Sequence, residues 1–371
     1  MGNWRNGELG NFITLKRGFD LPQQKREDGQ VPIFSSSGIT GTHSTAMVNA
    51  PGVITGRYGT IGEVFYAAED FWPLNTTLFV EDFHGNDAKF IYYFLKTLEW
   101  SKFTSASAVP GINRNTVHKE TVSLPDIETQ RIIASTLSML DEKIKTNTEI
   151  NDNLEQQAHS YFQELFVDNA SPEWTTGTIS DLGTVVGGST PSKAKPEYYT
   201  ESGIAWITPK DLSINESKFI SHGENDITEL GLKNSSAAIM PEGTVLFSSR
   251  APIGYIAIAA GEVTTNQGFK SVVPKPEIGT PFVYFFLKNT LPVIEGMASG
   301  STFKEVSGST MKNVPAVIPD AEILAKFSDF CAPIFAQQRT LEEQNQSLAK
   351  LRDSLLPKLM SGEIDVSAVH L

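Results

Sequence analysis

Phe90-Ile91-Tyr92-Tyr93-Phe94-Leu95-Lys96 and Phe282-Val283-Tyr284-Phe285-Phe286-Leu287-Lys288 agree at five of seven positions, at an offset of 192. Other pairs follow in the same order. Arg57-Tyr58-Gly59-Thr60-Ile61-Gly62 aligns with Arg250-Ala251-Pro252-Ile253-Gly254 after one deletion. Asn75 then falls on Asn266, Pro125-Asp126 on Pro319-Asp320, and Leu9-Gly10 on Leu182-Gly183. One match is cheap. A series in constant order, near-constant in spacing apart from about 20 extra residues in the second half between Leu182 and Arg250, marks an internal duplication.

Each half ends in a heptad pattern. Ile133, Leu137, Leu140, Ile144, Asn147, Asn151, Leu154, Ala158, Tyr161 and Leu165 follow an unbroken 4-3 spacing, the seam of a coiled coil with two asparagines inside it. Phe327, Phe330, Ile334, Gln337, Leu341, Gln344, Leu348, Leu351 and Leu355 alternate 3-4. Pro333 predicts a kink or a fresh start there, and Pro357 with Gly362 a stop. Helices of roughly 40 residues would run about 60 Å. A stripe that long cannot be buried against one small domain, so the two helices are expected to pair antiparallel, with one globular domain at each end and an approximate two-fold axis. Buried asparagine or glutamine in such a seam lowers stability but fixes register and partner choice.

The globular parts predict mixed strand and helix. Val53-Ile54-Thr55, Leu78-Phe79-Val80, Val245-Leu246-Phe247 and Tyr255–Ala259 are strand-like runs, while Phe90–Leu98 and Pro281–Lys288 read as packed helices. Turn residues crowd Ser35-Ser36-Ser37-Gly38, Gly187–Pro191 and Ser299-Gly300-Ser301. The fold class is α+β: two similar domains, 1–125 and 168–319, and two long helices within 126–167 and 320–371.

The net charge of −13 over 371 residues argues against a phosphate-binding surface if taken whole. Residues 126–167 and 320–371 carry −5 and −3, against −1 for 1–125 and −4 for 168–319. The globular parts are only mildly acidic and have room for a basic face. The single cysteine, Cys331, excludes an internal disulfide framework, and the six histidines show no metal-ligand spacing. No apolar run approaches the roughly 18 residues of a membrane span, and Met1–Gly10 has no signal-peptide character. A soluble cytoplasmic protein is expected.

These elements resemble the specificity subunit of Type I restriction-modification systems over nearly the whole chain. Leu351-Arg352-Asp353-Ser354-Leu355-Leu356-Pro357-Lys358-Leu359-Met360-Ser361-Gly362-Glu363-Ile364 is very similar to that family's ending. Asn151–Ala158 with Leu165-Phe166 resembles its central helix. Trp206–Leu212, Ser248–Gly254, Asn266–Lys270 and Gly300–Phe303 look like its target-recognition domain. The first half keeps Arg57, Ile61-Gly62 and Asn75 but lacks a Trp-Ile-Thr equivalent. The resemblance implies a non-catalytic subunit in which each recognition domain binds one half of a bipartite double-stranded DNA target. The helices would act as a ruler and dock two methylation subunits, at positions such as Leu154, Tyr161, Leu348, Leu351 and Leu355. Those partners would carry S-adenosylmethionine and methylate adenine. Restriction subunits using ATP and Mg2+ would complete the enzyme.

Reading bases needs hydrogen-bonding side chains on exposed loops. The candidates in the first domain are Lys16, Arg17, Ser35, Ser36, Arg57, Tyr58, Asn113 and Arg114. In the second they are Thr190, Ser192, Lys193, Thr208, Lys210, Arg250, Thr302 and Lys304. Arg57 and Arg250 suit either a phosphate contact or a structural pair. Recurrence in domains with different targets cannot encode sequence, which favours structure. By the same reasoning Asn75 and Asn266 are scaffold, and Trp206 is core. The alternatives are a coiled-coil protein scaffold and a metal-dependent nuclease. Asp211 with Glu216 and Lys218 loosely imitates a nuclease pattern. Asp141-Glu142-Lys143 reads as solvated helix surface. No adenine-methyltransferase motif or phosphate loop occurs.

Overall fold

The computed structural model describes residues 3–104, 110–215, 217–300 and 304–366. The chain divides into two compact units. The first comprises Met1–Ile144 with Gln346–Leu371, and the second Lys145–Asn345. Each unit therefore owns a globular part and a stretch of both long helices.

The first unit is built on a four-stranded antiparallel sheet in the order Thr14–Arg17, Thr77–Asp82, Gly52–Gly56, Val64–Ala67. Gly52–Gly56 is buried throughout, which explains its continuous apolar run in place of alternation. The helix Ala88–Lys96 covers the sheet with Phe90, Ile91, Phe94 and Leu95. Asp87 starts it, its carboxylate accepting the Phe90 N–H at 2.8 Å. Arg5–Glu8 pairs with Thr121–Leu124, leading into the central helix, Ile127–Gln163. The first turn of that helix is held by the buried Gln130. Its amide accepts from the Asp87 N–H at 2.9 Å and donates to Asn86 Oδ1 at 2.8 Å and Pro125 O at 2.9 Å.

The second unit repeats this order. Gly183–Gly187, Lys270–Pro274, Val245–Ser249 and Ile253–Ala259 are antiparallel neighbours, and a fifth strand, Phe219–Ile220, adds in parallel on Ile253–Ala259. Thr175–Thr178 pairs with Pro315–Ile318 as Arg5–Glu8 does with Thr121–Leu124. The helix Thr280–Met297 occupies the place of Ala88–Lys96. The duplication is thus one of topology as well as sequence.

Backbone hydrogen bonds correct the equivalences in detail. Arg57 N donates to Thr76 O, and Ile112 N to Arg57 O; Ser249 N donates to Gly268 O, and Val306 N to Ser249 O. Arg57 therefore corresponds to Ser249, not Arg250, and Asn75 to Gln267, not Asn266. Likewise Leu9 corresponds to Ile179, since their N–H groups bond Glu120 O and Val314 O. Identical letters had drawn the alignment off by a residue or more. The first unit also has a counterpart of Trp206–Ile207, which pairs in parallel with Thr264–Thr265. It is Ile33-Phe34, paired in parallel with Trp72–Pro73.

The long helices run antiparallel within each unit. In the first, Ile133 and Leu137 share a core with Leu355, Leu356, Leu359 and Met360. In the second, Asn147 Nδ2 donates to Asn345 Oδ1 at 2.9 Å, and Gln338 Nε2 to Asn151 O at 3.1 Å. The central seam follows the expected positions, with Ile133, Leu137, Asn147 and Ala158 buried. The C-terminal seam does so only at Phe327, Ile334, Leu341, Leu348 and Leu355. Its inward positions are Phe327, Cys331, Ile334, Gln338, Leu341, Asn345, Leu348, Arg352, Leu355 and Leu359. Phe330 and Leu351, assigned inward by their apolarity, are 40% and 47% exposed, Phe330 keeping one ring contact with Tyr161 at 4.5 Å, and Gln337 and Gln344 are exposed too. The unbroken 4-3 register is kept by accepting polar residues at the seam. The helix also runs unbroken from Ala321 to Met360 through Pro333 and Pro357. The turn comes only at Gly362, whose φ of +75° suits glycine. Among the described residues no helix is long and apolar enough to cross a membrane.

Candidate nucleic-acid interface

Six first-unit candidates converge. Lys16, Arg17, Arg57, Tyr58, Asn113 and Arg114 line one cleft of about 580 Å³, with Gly111 and Ile112 forming part of its wall. Lys16 and Arg17 end the edge strand of the sheet. Arg57-Tyr58 follows the buried central strand, and Asn113 opens the short helix Arg114–His118. The Arg57 guanidinium lies 4.6 Å from the Tyr58 ring centroid and its Nε donates to Ile112 O at 3.4 Å. Gly111 is required here, because a Cβ would sit 2.1 Å from Tyr58 Cε1. Lys16 pairs with Glu81 at 2.5 Å and Arg17 with Asp20 at 3.4 Å. Such exposed pairs are worth little and exchange readily. The cleft thus offers four cations, an aromatic face and an exposed amide, the chemistry of phosphate and base-edge contact.

Ser36 does not line this cleft and lies beside Gly59, where a Cβ would sit 3.2 Å from its Oγ. Ser35 Oγ meets Ser37 Oγ at 3.0 Å and donates to Gly38 O at 3.2 Å, closing the hairpin turn. His118 supports the edge strand. Its Nε2 accepts the Leu15 N–H at 2.9 Å, which requires a neutral ring at that nitrogen. Burial, with Arg114 and His84 nearby, lowers its pKa. Asn75 donates to Asp20, and Asn266 Oδ1 accepts the Gly268 N–H at 2.8 Å. Asn75 thus ties its loop to the one carrying Asp20, and Asn266 closes its own turn.

The second-unit candidates are spread more widely. Arg250 Nη1 lies 3.4 Å from Glu305, an ion pair inside the unit. Lys270, which was not among the candidates, shares that carboxylate at 3.8 Å. It occupies the strand position equivalent to Leu78, and burial lowers its pKa against the pull of Glu305. The signal was in the quoted stretch Asn266–Lys270, but a lysine in a strand reads as scaffold until the repeat register is known. Lys304 is exposed beside Glu305, and Thr302 lies outside the described residues. Thr190 bonds Gln267, while Ser192 and Lys193 are exposed on the same loop. Thr208 and Lys210 belong to a different local structure. The Thr208 hydroxyl donates to Asp211 at 2.6 Å in a capping box, and Lys210 pairs with Glu224 at 2.6 Å. Trp206 is buried, its Nε1 donating to Ser189 O at 3.0 Å.

Asp211 accepts from Thr208 and from the Glu224 N–H, and Lys218 is buried against Glu155. Glu216 lies outside the described residues. The nuclease-like trio is therefore not assembled from its described members. Among the described residues no group of three His, Cys, Asp or Glu is placed to hold a metal ion. Asp141 is not solvated helix surface either. It accepts from Tyr93 Oη at 2.5 Å and from Arg352 Nη1 at 2.7 Å. Of the helix positions expected to meet partners, Leu154, Tyr161 and Leu355 pack against their own units' cores. Leu348 is half-buried and Leu351 is exposed.

The duplicated fold has relatives. The chain belongs to the Type I restriction modification DNA specificity domain family, whose model matches residues 1–156 and again 172–349. It is 39% identical over 192 residues to the Type I restriction enzyme MjaIX specificity subunit of Methanocaldococcus jannaschii. That match covers 51% of this chain and 44% of the relative, less than half its length. It is 25% identical over 347 residues to the Type I restriction enzyme HindI specificity subunit of Haemophilus influenzae, covering 72% and 75%. In fold it is similar to the crystal structure of a Type-I restriction-modification system S subunit from M. genitalium. The TM-score is 0.67 at 19% identity, over 97% of this chain and 96% of that one.

Proposed function

We propose that this chain is the non-catalytic, DNA-reading subunit of a Type I restriction-modification enzyme. Residues 1–125 and 168–319 each bind one half of a bipartite double-stranded target. The helices within 126–167 and 320–371 set the spacer and dock two methylation subunits. Those subunits supply S-adenosylmethionine chemistry at adenine, and restriction subunits supply ATP- and Mg2+-dependent cleavage. The assembly would work in the cytoplasm, where the DNA is.

The observation that carries this reading is one strand order built twice with different side chains at the candidate positions. The first cleft presents Lys16, Arg17, Arg57 and Arg114, while the second unit offers Arg250, Lys270 and Lys304 around Glu305. A shared scaffold with unlike surfaces suits two unlike half-sites. Two weak contacts joined on one chain also gain from effective concentration when their spacing fits the target. A paired helix is stiffer than a flexible linker and suits a ruler. The test is a map of methylated adenines in cells with and without this chain, its methylation subunits present in both. A split sequence methylated only when the chain is present is expected. Plasmid cleavage by the purified chain alone with Mg2+ would overturn the non-catalytic reading.

A further inference from the structure

Lysine is almost never fully buried unless paired, yet Lys218 is only 8% exposed. Its ammonium is ion-paired with Glu155 of the central helix and donates to Gln338 Oε1 of the C-terminal helix at 2.6 Å. It also lies 4.0 Å from the centroid of the Phe335 ring. The backbone takes part as well. The N–H groups of Lys218 and Phe219 donate to the two carboxylate oxygens of Glu342, at 2.8 and 3.0 Å. Glu155 in turn accepts from Lys288 at 2.6 Å and from the Tyr284 hydroxyl at 3.2 Å. Burial pushes Glu155 upward, but the two ammoniums hold its pKa below the usual carboxylate range.

The segment so held is the fifth strand, Phe219–Ile220, at the edge of the second unit's sheet. Among the described residues the first unit's four-stranded sheet has no such strand. Its polar ties to the helices run instead from Gln130 and Asp141 of the central helix to Asp87 and Tyr93 at its covering helix. An apolar contact is non-directional and tolerates sliding. A knot of buried charges with hydrogen bonds at set geometry does not, because any shift leaves a buried charge without its partner.

We propose that Lys218, with Glu155 and Glu342, is a positioning residue that sets how the second recognition sheet is seated on its own stretch of the helix pair, and thereby which spacer length is accepted. The inference rests on the proposed function. None of these residues needs to touch DNA.

Lys218→Met and Glu155→Gln test it. Lys218→Met keeps an unbranched apolar side chain and leaves Glu155 its Lys288 partner. Glu155→Gln keeps a hydrogen-bonding amide. Each full-length variant is expressed with the methylation subunits of its own system, and methylated adenines are mapped together with the melting temperature. Both half-sites should stay unchanged. Methylation at spacers one base pair longer or shorter should rise about tenfold relative to the preferred spacer, the equivalent of 1.4 kcal/mol lost from discrimination. A merely structural knot would lower methylation everywhere with the spacer preference intact, and that result overturns the proposal. So does loss of all methylation by both variants, because a seating role leaves binding competent. A wild-type complex that methylates no split sequence would count against the proposed function instead.

Discussion

Arg17 and His118 both bear on the edge strand beside the first cleft, one exposed at its end and one hydrogen-bonded to its backbone. Arg17 is exposed and only loosely paired with Asp20, so its removal should leave stability within about 0.5 kcal/mol. If it meets phosphate, Arg17→Ala should weaken binding of the assembled complex roughly uniformly across sequences, and reduce the slope of log K against log salt by about 1. Filter binding at several salt concentrations measures this; an unchanged slope removes Arg17 from the interface. His118 works through Leu15. Its folded-state pKa is lowered, so its contribution is present above the ordinary imidazole value of about 6.5 and lost as pH falls through the folded value. The melting temperature should drop more steeply between neutral pH and mild acid in the wild type than in His118→Gln, which keeps an acceptor without titrating. Parallel curves would contradict that role. Candidates of this kind were legible as residue types. Their grouping was not, because the cleft is assembled from Lys16, Arg57 and Arg114, which are distant in sequence.

At the scale of the element, the C-terminal helix shows where sequence and packing part. Its heptad pattern was visible, and the helix was expected. Its phase was legible only at every second seam position, because a register chosen by apolarity prefers Phe330 and Leu351 to Cys331 and Arg352. Arg352 takes the inward place because Asp141 and Asp353 receive its guanidinium, at 2.7 and 2.8 Å. No single-helix pattern displays a partner carboxylate on another helix. Arg352→Ala should therefore cost about 1–3 kcal/mol, the range for a half-buried charge left without its partner. Leu351→Ala should cost under about 1 kcal/mol. Urea unfolding of the two variants decides the register, and the opposite ranking would restore the apolar phase. The strand expectations fared better. Buried runs such as Val53-Ile54-Thr55 and Val245-Leu246-Phe247 carry their signal locally. The fifth strand, two residues long and seated by Lys218, carries almost none.

For the whole molecule, the duplication was legible because the covering helices kept the same aromatic and aliphatic face, Phe90–Lys96 and Phe282–Lys288. Packing against a sheet of the same order constrains those residues in both halves. The loops that carry the candidate residues are free of that constraint, and their side chains differ between the halves. The acidic net charge belongs to the same picture, since its excess is concentrated on the helix segments and not around Lys16, Arg57 and Arg114. Inserting one heptad into each long helix should add about 10 Å at 1.5 Å per residue. A map of methylated sites should then show a longer spacer between unchanged half-sites. An unaltered spacer would remove the helices from the role of ruler.

The most direct measurement exchanges residues 1–125 for the corresponding segment of another family member and maps methylated adenines in cells carrying the hybrid complex. Separate reading predicts a new sequence in one half-site, with the other half-site and the spacer retained. A change in both halves, or in neither, would contradict it.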